Sequence, residues 1–221
     1  MPEGIINING DSVQALEIIV LTTMIMLIPT IVVMMTSFTR YVISLSFLRT
    51  AMGTAQAPPN LVLIGLALLL TLFTMNPVIA QINEEAYQPY VSDEITQAEF
   101  FQRAQVPLKR FMLRNTDISA LDLFCSIAGE EAPDDVEGGM ELPIHVVTAS
   151  FATSELKRAF QIGFLLYLPF LLLDIIVSTT LMSMGMMMLP PAMISTPFKL
   201  LLFVTLNGWE LLFSTLINTF R

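Results

Sequence analysis

Polar and apolar positions alternate along this chain in long blocks rather than residue by residue. Glu17 and Arg40 bracket an uncharged run over residues 18–39, and Arg49 and Glu84 bracket another over 50–83. Beyond Arg158 the chain is apolar as far as Arg221, broken only by Asp174, Lys199 and Glu210. A run of ~20 apolar residues crosses ~30 Å of hydrocarbon as a helix. The last block is long enough for two passes, so the pattern predicts four membrane helices. The first covers 12–39, capped by Asp11 or Ser12, with Glu17 well placed near its positive end and a kink at Pro29. A connecting stretch over 37–60 carries Arg40, Arg49, Gly53 and the pair Pro58-Pro59. The second helix covers 60–82, bent or ended by Pro77. The third starts at Thr153 or Ser154, with Glu155 in its first turn, and runs past Pro169 to Met188. Pro190 and Pro191 force a turn, and the fourth covers 195–220.

The polar segment changes period without losing helicity. Phe100, Phe101, Ala104, Leu108, Phe111 and Met112 share one stripe, with Pro107 breaking or bending it. Asp117 is a candidate cap for a short helix carrying Leu121, Phe124 and Cys125, and the acidic, glycine-rich residues 129–139 read as an exposed loop. The fold class is therefore all-α. It divides into an arm and first helical hairpin (1–83), a polar insertion (84–152) and a second hairpin with a methionine-rich loop (153–221). Arg40 and Arg49, without acidic neighbours, direct their connection to the cytoplasm, which puts the insertion in the periplasm.

Composition sharpens this picture. Of 221 residues, 54% are hydrophobic and 13% charged, against about a quarter charged in soluble domains. The net charge of −9 belongs mostly to residues 84–158, which hold fourteen acidic and six basic side chains. Nucleic acid is excluded, because it requires clustered Lys and Arg on one face. The single cysteine, Cys125, rules out an intrachain disulfide and reads as a small buried apolar residue. No secretory leader precedes Ile18, so either the first apolar run serves as insertion signal or the chain is in mature form.

Candidate chemistry is sparse. No phosphate loop, nucleophile elbow, HExxH or CxxC occurs, and His145 lacks companion ligands, so neither an enzyme, a metal site nor a cofactor is expected. Five of the fifteen methionines fall between Met182 and Met188. Met184, Met186, Met187 and Met188 either pack or face lipid, or form an adaptable thioether gasket around an axis. Asp174 and Lys199 are costly in hydrocarbon and need partners. Counted from a turn at Pro190, Asp174 lies sixteen residues before it and Lys199 nine after, a mismatch of ~10 Å along a helical hairpin. Lys199 is therefore expected to pair between subunits, with Glu155 favoured over Asp174, or else to snorkel to an interface. Arg40 and Arg49 are topology anchors or subunit contacts.

One family carries these residues. The stretch 37–53 (SFTRYVISLSFLRTAMG), continued by 58–69 (PPNLVLIGLALL), closely resembles a signature of the FliP family, bacterial flagellar export proteins. Residues 154–164 (SELKRAFQIGF), 169–174 (PFLLLD), 184–191 (MGMMMLPP) and 194–199 (ISTPFK) resemble its further signatures. The resemblance implies a core subunit of a type III secretion export gate in the bacterial inner membrane, at the flagellar basal body. It implies a homo-oligomer, five copies in the usual assembly, joined by FliQ- and FliR-type subunits in a helical cone around a channel for unfolded proteins. FlhA- and FlhB-type subunits are further implied partners, beside membrane lipid, and SctR-type injectisome proteins are counterparts. The resemblance favours the gasket for the methionines. The runner-up function is an ion-coupled transport subunit using Asp174.

Overall fold

The structure, a computed structural model, describes residues 12–54, 56–133, 135–186 and 188–220. Every regular element among them is helical. Helix α1 (Ser12–Met35) is followed after two residues by α2 (Phe38–Ala51). Helix α3 (Asn60–Ile82) continues through a π-helical turn, Asn83–Tyr87, into α4 (Gln88–Val91), giving one apolar rod of 32 residues. The insertion contributes α5 (Gln97–Arg114), α6 (Ile118–Ala128) and the single turn α7 (Val136–Gly139). Helix α8 (Ile144–Ser183) spans 40 residues, ~60 Å or about twice the hydrocarbon thickness. Helices α9 (Pro191–Thr205) and α10 (Gly208–Asn218) complete the chain.

The rod Asn60–Val91 and α8 are long and apolar enough to cross a membrane singly. Two further spans result if each bent pair, Pro29–Met35 with Phe38–Ala51 and Pro191–Thr205 with Gly208–Asn218, counts as one. The second pair bends by 65° where Asn207 takes a left-handed conformation, φ 49°, which its short polar side chain tolerates better than most.

Several predicted boundaries are corrected. The first helix ends at Met35 instead of Thr39, and the fourth starts at Pro191 and is broken after Thr205 instead of running on over 195–220. Residues 38–51 form no connecting loop: they are α2, whose Tyr41, Leu45, Leu48 and Ala51 are buried in the main core. Helix α8 starts at Ile144, ahead of the expected Thr153, because Pro143 supplies an extended N-cap and Val146, Val147 and Phe151 bury against the insertion. It stops at Ser183, short of Met188. There the Gly185 amide bonds the Met182 carbonyl, the Met186 amide bonds the Leu181 carbonyl, and Gly185 adopts φ 75°, the Schellman ending that favours glycine. Finally, residues 136–139 within the expected loop coil into α7, capped by Asp135 on the Gly138 amide.

Local chemistry explains the other ends. Thr96 and Glu99 form a reciprocal capping box at the start of α5. Pro107 lies inside α5, which runs on unbroken; Pro29, Pro77 and Pro169 likewise sit within continuous helices. Two cores result. One joins α2, α3, α8, α9 and α10 around Tyr41, Leu45, Leu63, Phe170, Phe203 and Leu216. The other joins α5, α6 and the first turns of α8 around Met112, Cys125, Val147 and Phe151. Helix α8 belongs to both, and α2 packs along it at close range. A Cβ on Gly163 of α8 would stand 2.4 Å from the Phe47 ring of α2.

Candidate functional site

Four ion pairs among the described residues tie α8 to the rest of the chain, and two of them join predicted site residues. On the face that α2 presents to α8, the Arg40 guanidinium donates from Nε to Glu155 Oε2 at 2.8 Å and from Nη2 to Oε1. Neither side chain has any solvent exposure. The Arg40 Nη1 also donates to Thr219 Oγ1 at 2.8 Å and to the Thr219 carbonyl at 3.2 Å. The Phe220 ring lies 3.5 Å from the guanidinium carbon. Every face of the cation is thus occupied: a carboxylate, the carbonyl end of α10 and an aromatic ring. Arg40 is therefore no loop anchor, since its fork is spent inside the chain.

The second pair lies towards the other end of α8. Lys199 Nζ of α9 donates to Asp174 Oδ2 at 2.6 Å and to the Ala51 carbonyl at 3.2 Å, while Ser195 Oγ donates to Asp174 Oδ1 at 2.7 Å. Ala51 is the last residue of α2, so the ammonium also sits at that helix's negative end. Lys199 is 6% exposed at its side chain and Asp174 35%. The expected ~10 Å mismatch between them is overturned, and the reason is the early stop of α8. Asp174 stands nine residues before Ser183, and Lys199 eight after Pro191, so the hairpin is in register once residues 184–190 are not counted as helix. The expected partnership of Lys199 with Glu155 is overturned as well, because Arg40 holds Glu155 in the same chain.

The remaining predicted residues are separate from these pairs. Arg49 lies in the last turn of α2 and donates to the Pro58 carbonyl at 3.3 Å and to Asn60 Oδ1. Pro190 caps α9 and Pro191 opens it, the position where a missing N–H costs nothing. Between α8 and α9 the methionine loop projects outward, with Met184 66%, Met186 39% and Met188 99% exposed; Met187 lies outside the described residues. Glu210 stands in the first turn of α10, a favourable place for an anion. Cys125 is free and buried. His145 is exposed on α8, and no group of three potential metal ligands occurs among the described residues.

Sequence reasoning missed a third charged cluster. Asp117 does not cap α6 with its side chain; it binds Lys157 Nζ and Arg158 Nη2, both at 2.8 Å. The Lys157 hydrogen bond, reinforced by Arg158, holds its carboxyl below the usual carboxylate range. Lys109 is also buried, its ammonium directed at the carbonyls of Met140 and Leu142, and burial lowers its pKa. An i, i+4 pattern could not reveal either contact, because both join segments more than 30 residues apart.

Regular structure that is helical throughout the described residues, with two rods long and apolar enough to cross a membrane, defines a multi-helix membrane protein. The FliP family model matches residues 21–216. The chain is 48% identical over 213 residues to the flagellar biosynthetic protein FliP of Aquifex aeolicus (strain VF5), covering 96% of this chain and 89% of that one. It is 47% identical over 214 residues to that of Pectobacterium carotovorum subsp. carotovorum (96% and 82%) and 46% over 207 residues to that of Bacillus subtilis (strain 168) (94% and 92%). The chain belongs to the FliP family, and its role lies in flagellar biosynthesis and export.

Proposed function

We propose that this chain is a core subunit of the flagellar type III export gate. Several copies, five by family resemblance, assemble with FliQ- and FliR-type subunits into a helical cone in the inner membrane at the flagellar basal body. FlhA- and FlhB-type subunits adjoin it, and unfolded flagellar proteins pass through its channel. The insertion, residues 84–152, faces the periplasm. The observation that carries this reading is the methionine loop. Three flexible thioether side chains stand exposed at the tip of a hairpin whose register is locked by Lys199 and Asp174. Repeated around an axis, such tips form a ring that closes a gap yet repacks around passing chains.

The apolar surface of α8 supports oligomerisation. Only 11% of its most apolar stretch is buried within the chain, and Phe160, Phe164, Leu165 and Leu172 are exposed. The uncovered length requires lipid or protein neighbours. Asp174 favours this reading over an ion-coupled one, because Lys199 and Ser195 already occupy both its oxygens. Native mass spectrometry of the complex, extracted in mild detergent after co-expression with FliQ- and FliR-type subunits, tests the proposal. Several copies of this chain bound to both partners are expected; recovery of the co-expressed chain only as single protomers bound to neither partner would overturn it.

A further inference from the structure

Helices α3, α5 and α8 and the residues that follow α10 border a cavity of about 590 Å³, lined among others by Arg110, Arg114 and Arg158. These are three of the six basic residues in the strongly acidic stretch 84–158, yet no carboxylate lines the cavity. Arg158 is fixed in place by the Asn115 carbonyl and by Asp117, at 2.9 and 2.8 Å. The other two are uncommitted: Arg110 Nε is buried without a hydrogen-bond partner, and Arg114 makes no side-chain hydrogen bond or ion pair among the described residues. Arg110 and Arg114 stand one turn apart on α5, where like charges repel, and a buried donor left unpaired is costly.

We infer that this cavity binds a phosphate-type oxyanion, supplied either as the headgroup phosphodiester of an anionic lipid or as free phosphate. Guanidinium forks match phosphate oxygens in pairs, and the volume is that of a small-ligand site rather than of one carboxylate. The remaining wall suits a phosphate bearing an apolar attachment, since Pro77, Val78, Phe111 and Phe220 line it. Pro77 and Val78 belong to the apolar rod and Arg110 and Arg114 to α5 of the polar insertion, so the cavity borders an apolar and a polar element at once, as a headgroup phosphate with its apolar attachment requires.

The test uses the full chain purified in a zwitterionic detergent. Phosphatidylglycerol, phosphatidylcholine and inorganic phosphate are titrated separately, with binding read by native mass spectrometry and by the shift in thermal unfolding. The expected result is that phosphatidylglycerol binds in preference to phosphatidylcholine and that Arg114→Gln weakens this by about tenfold. Arg110→Lys should keep part of it, and Arg103→Gln, on α5 but away from the cavity, should change nothing. Saturable binding of inorganic phosphate that Arg114→Gln weakens, with lipid retention unaffected, assigns the free ion as the source and also supports the site. If neither probe distinguishes wild type from Arg114→Gln and Arg110→Lys, or if Arg103→Gln has the same effect, the inference is overturned. The exposed position of Arg114 makes its variant the least disruptive to folding.

Discussion

Arg40 and Glu155 meet through two parallel hydrogen bonds in the interior, 115 residues apart in sequence and with no exposure on either side chain. The pair joins α2 to α8, and Thr219 and Phe220 extend it to the end of α10. Breaking it from one side leaves an uncompensated charge in the core.

Glu155→Gln should therefore destabilise the purified chain by ~3–5 kcal/mol, and Arg40→Lys, which keeps the charge but loses the fork, should also destabilise it. Denaturant or thermal unfolding in detergent measures both. Stability unchanged in Glu155→Gln would contradict the buried pair.

Lys199→Glu should lower the folded yield by setting a like charge against Asp174. Adding Asp174→Lys should restore part of it, whereas adding Glu155→Lys should restore none. Rescue by Glu155→Lys instead would move the partnership to Glu155 and contradict the hairpin register. Purification yield and melting temperature of the single and double variants separate the two.

Gly163 marks the closest approach of α8 to α2. A methyl group there meets the Phe47 ring at 2.4 Å, so Gly163→Ala should cost ~1–3 kcal/mol. Phe47→Leu in the same chain should recover part of the loss. A Gly163→Ala protein as stable as wild type would show that the helices separate easily.

The Asp117 cluster predicts an acid dependence. Its carboxyl titrates at about 3.8 when unfolded and lower when folded, because Lys157 first and Arg158 second stabilise the anion. The stabilisation is complete above the unfolded value and is lost as pH falls through the folded one. Asp117→Asn should remove this component of the acid transition. High salt should weaken it too, because Lys157 is 54% exposed at its side chain. Identical acid unfolding of the two proteins would contradict the cluster.

The sequence revealed helices wherever hydropathy or capping chemistry was local. The start of α3 at Asn60, the apolar stripe of α5 from Phe100 to Met112 and the apolar character of α8 could all be read from neighbouring residues. Helix α2 could not, because its apolar face is interrupted by Arg40 and Ser44, both of which are buried. A charge that looks like a loop marker along the chain becomes core once a carboxylate 115 residues away reaches it. The end of α8 was hidden for a different reason. Gly185 sits among methionines that suit a helix, and its left-handed turn is visible only in three dimensions. That single boundary moved the hairpin register and with it the partner of Lys199.

The most direct measurement is ion permeability of membranes carrying the assembled complex at rest, with Met184, Met186 and Met188 replaced together by Ala. A marked rise in conductance over the unaltered complex, at equal amounts of assembled protein, is the predicted result. Conductance indistinguishable from that of the unaltered complex would contradict the methionine loop as the seal of an export channel.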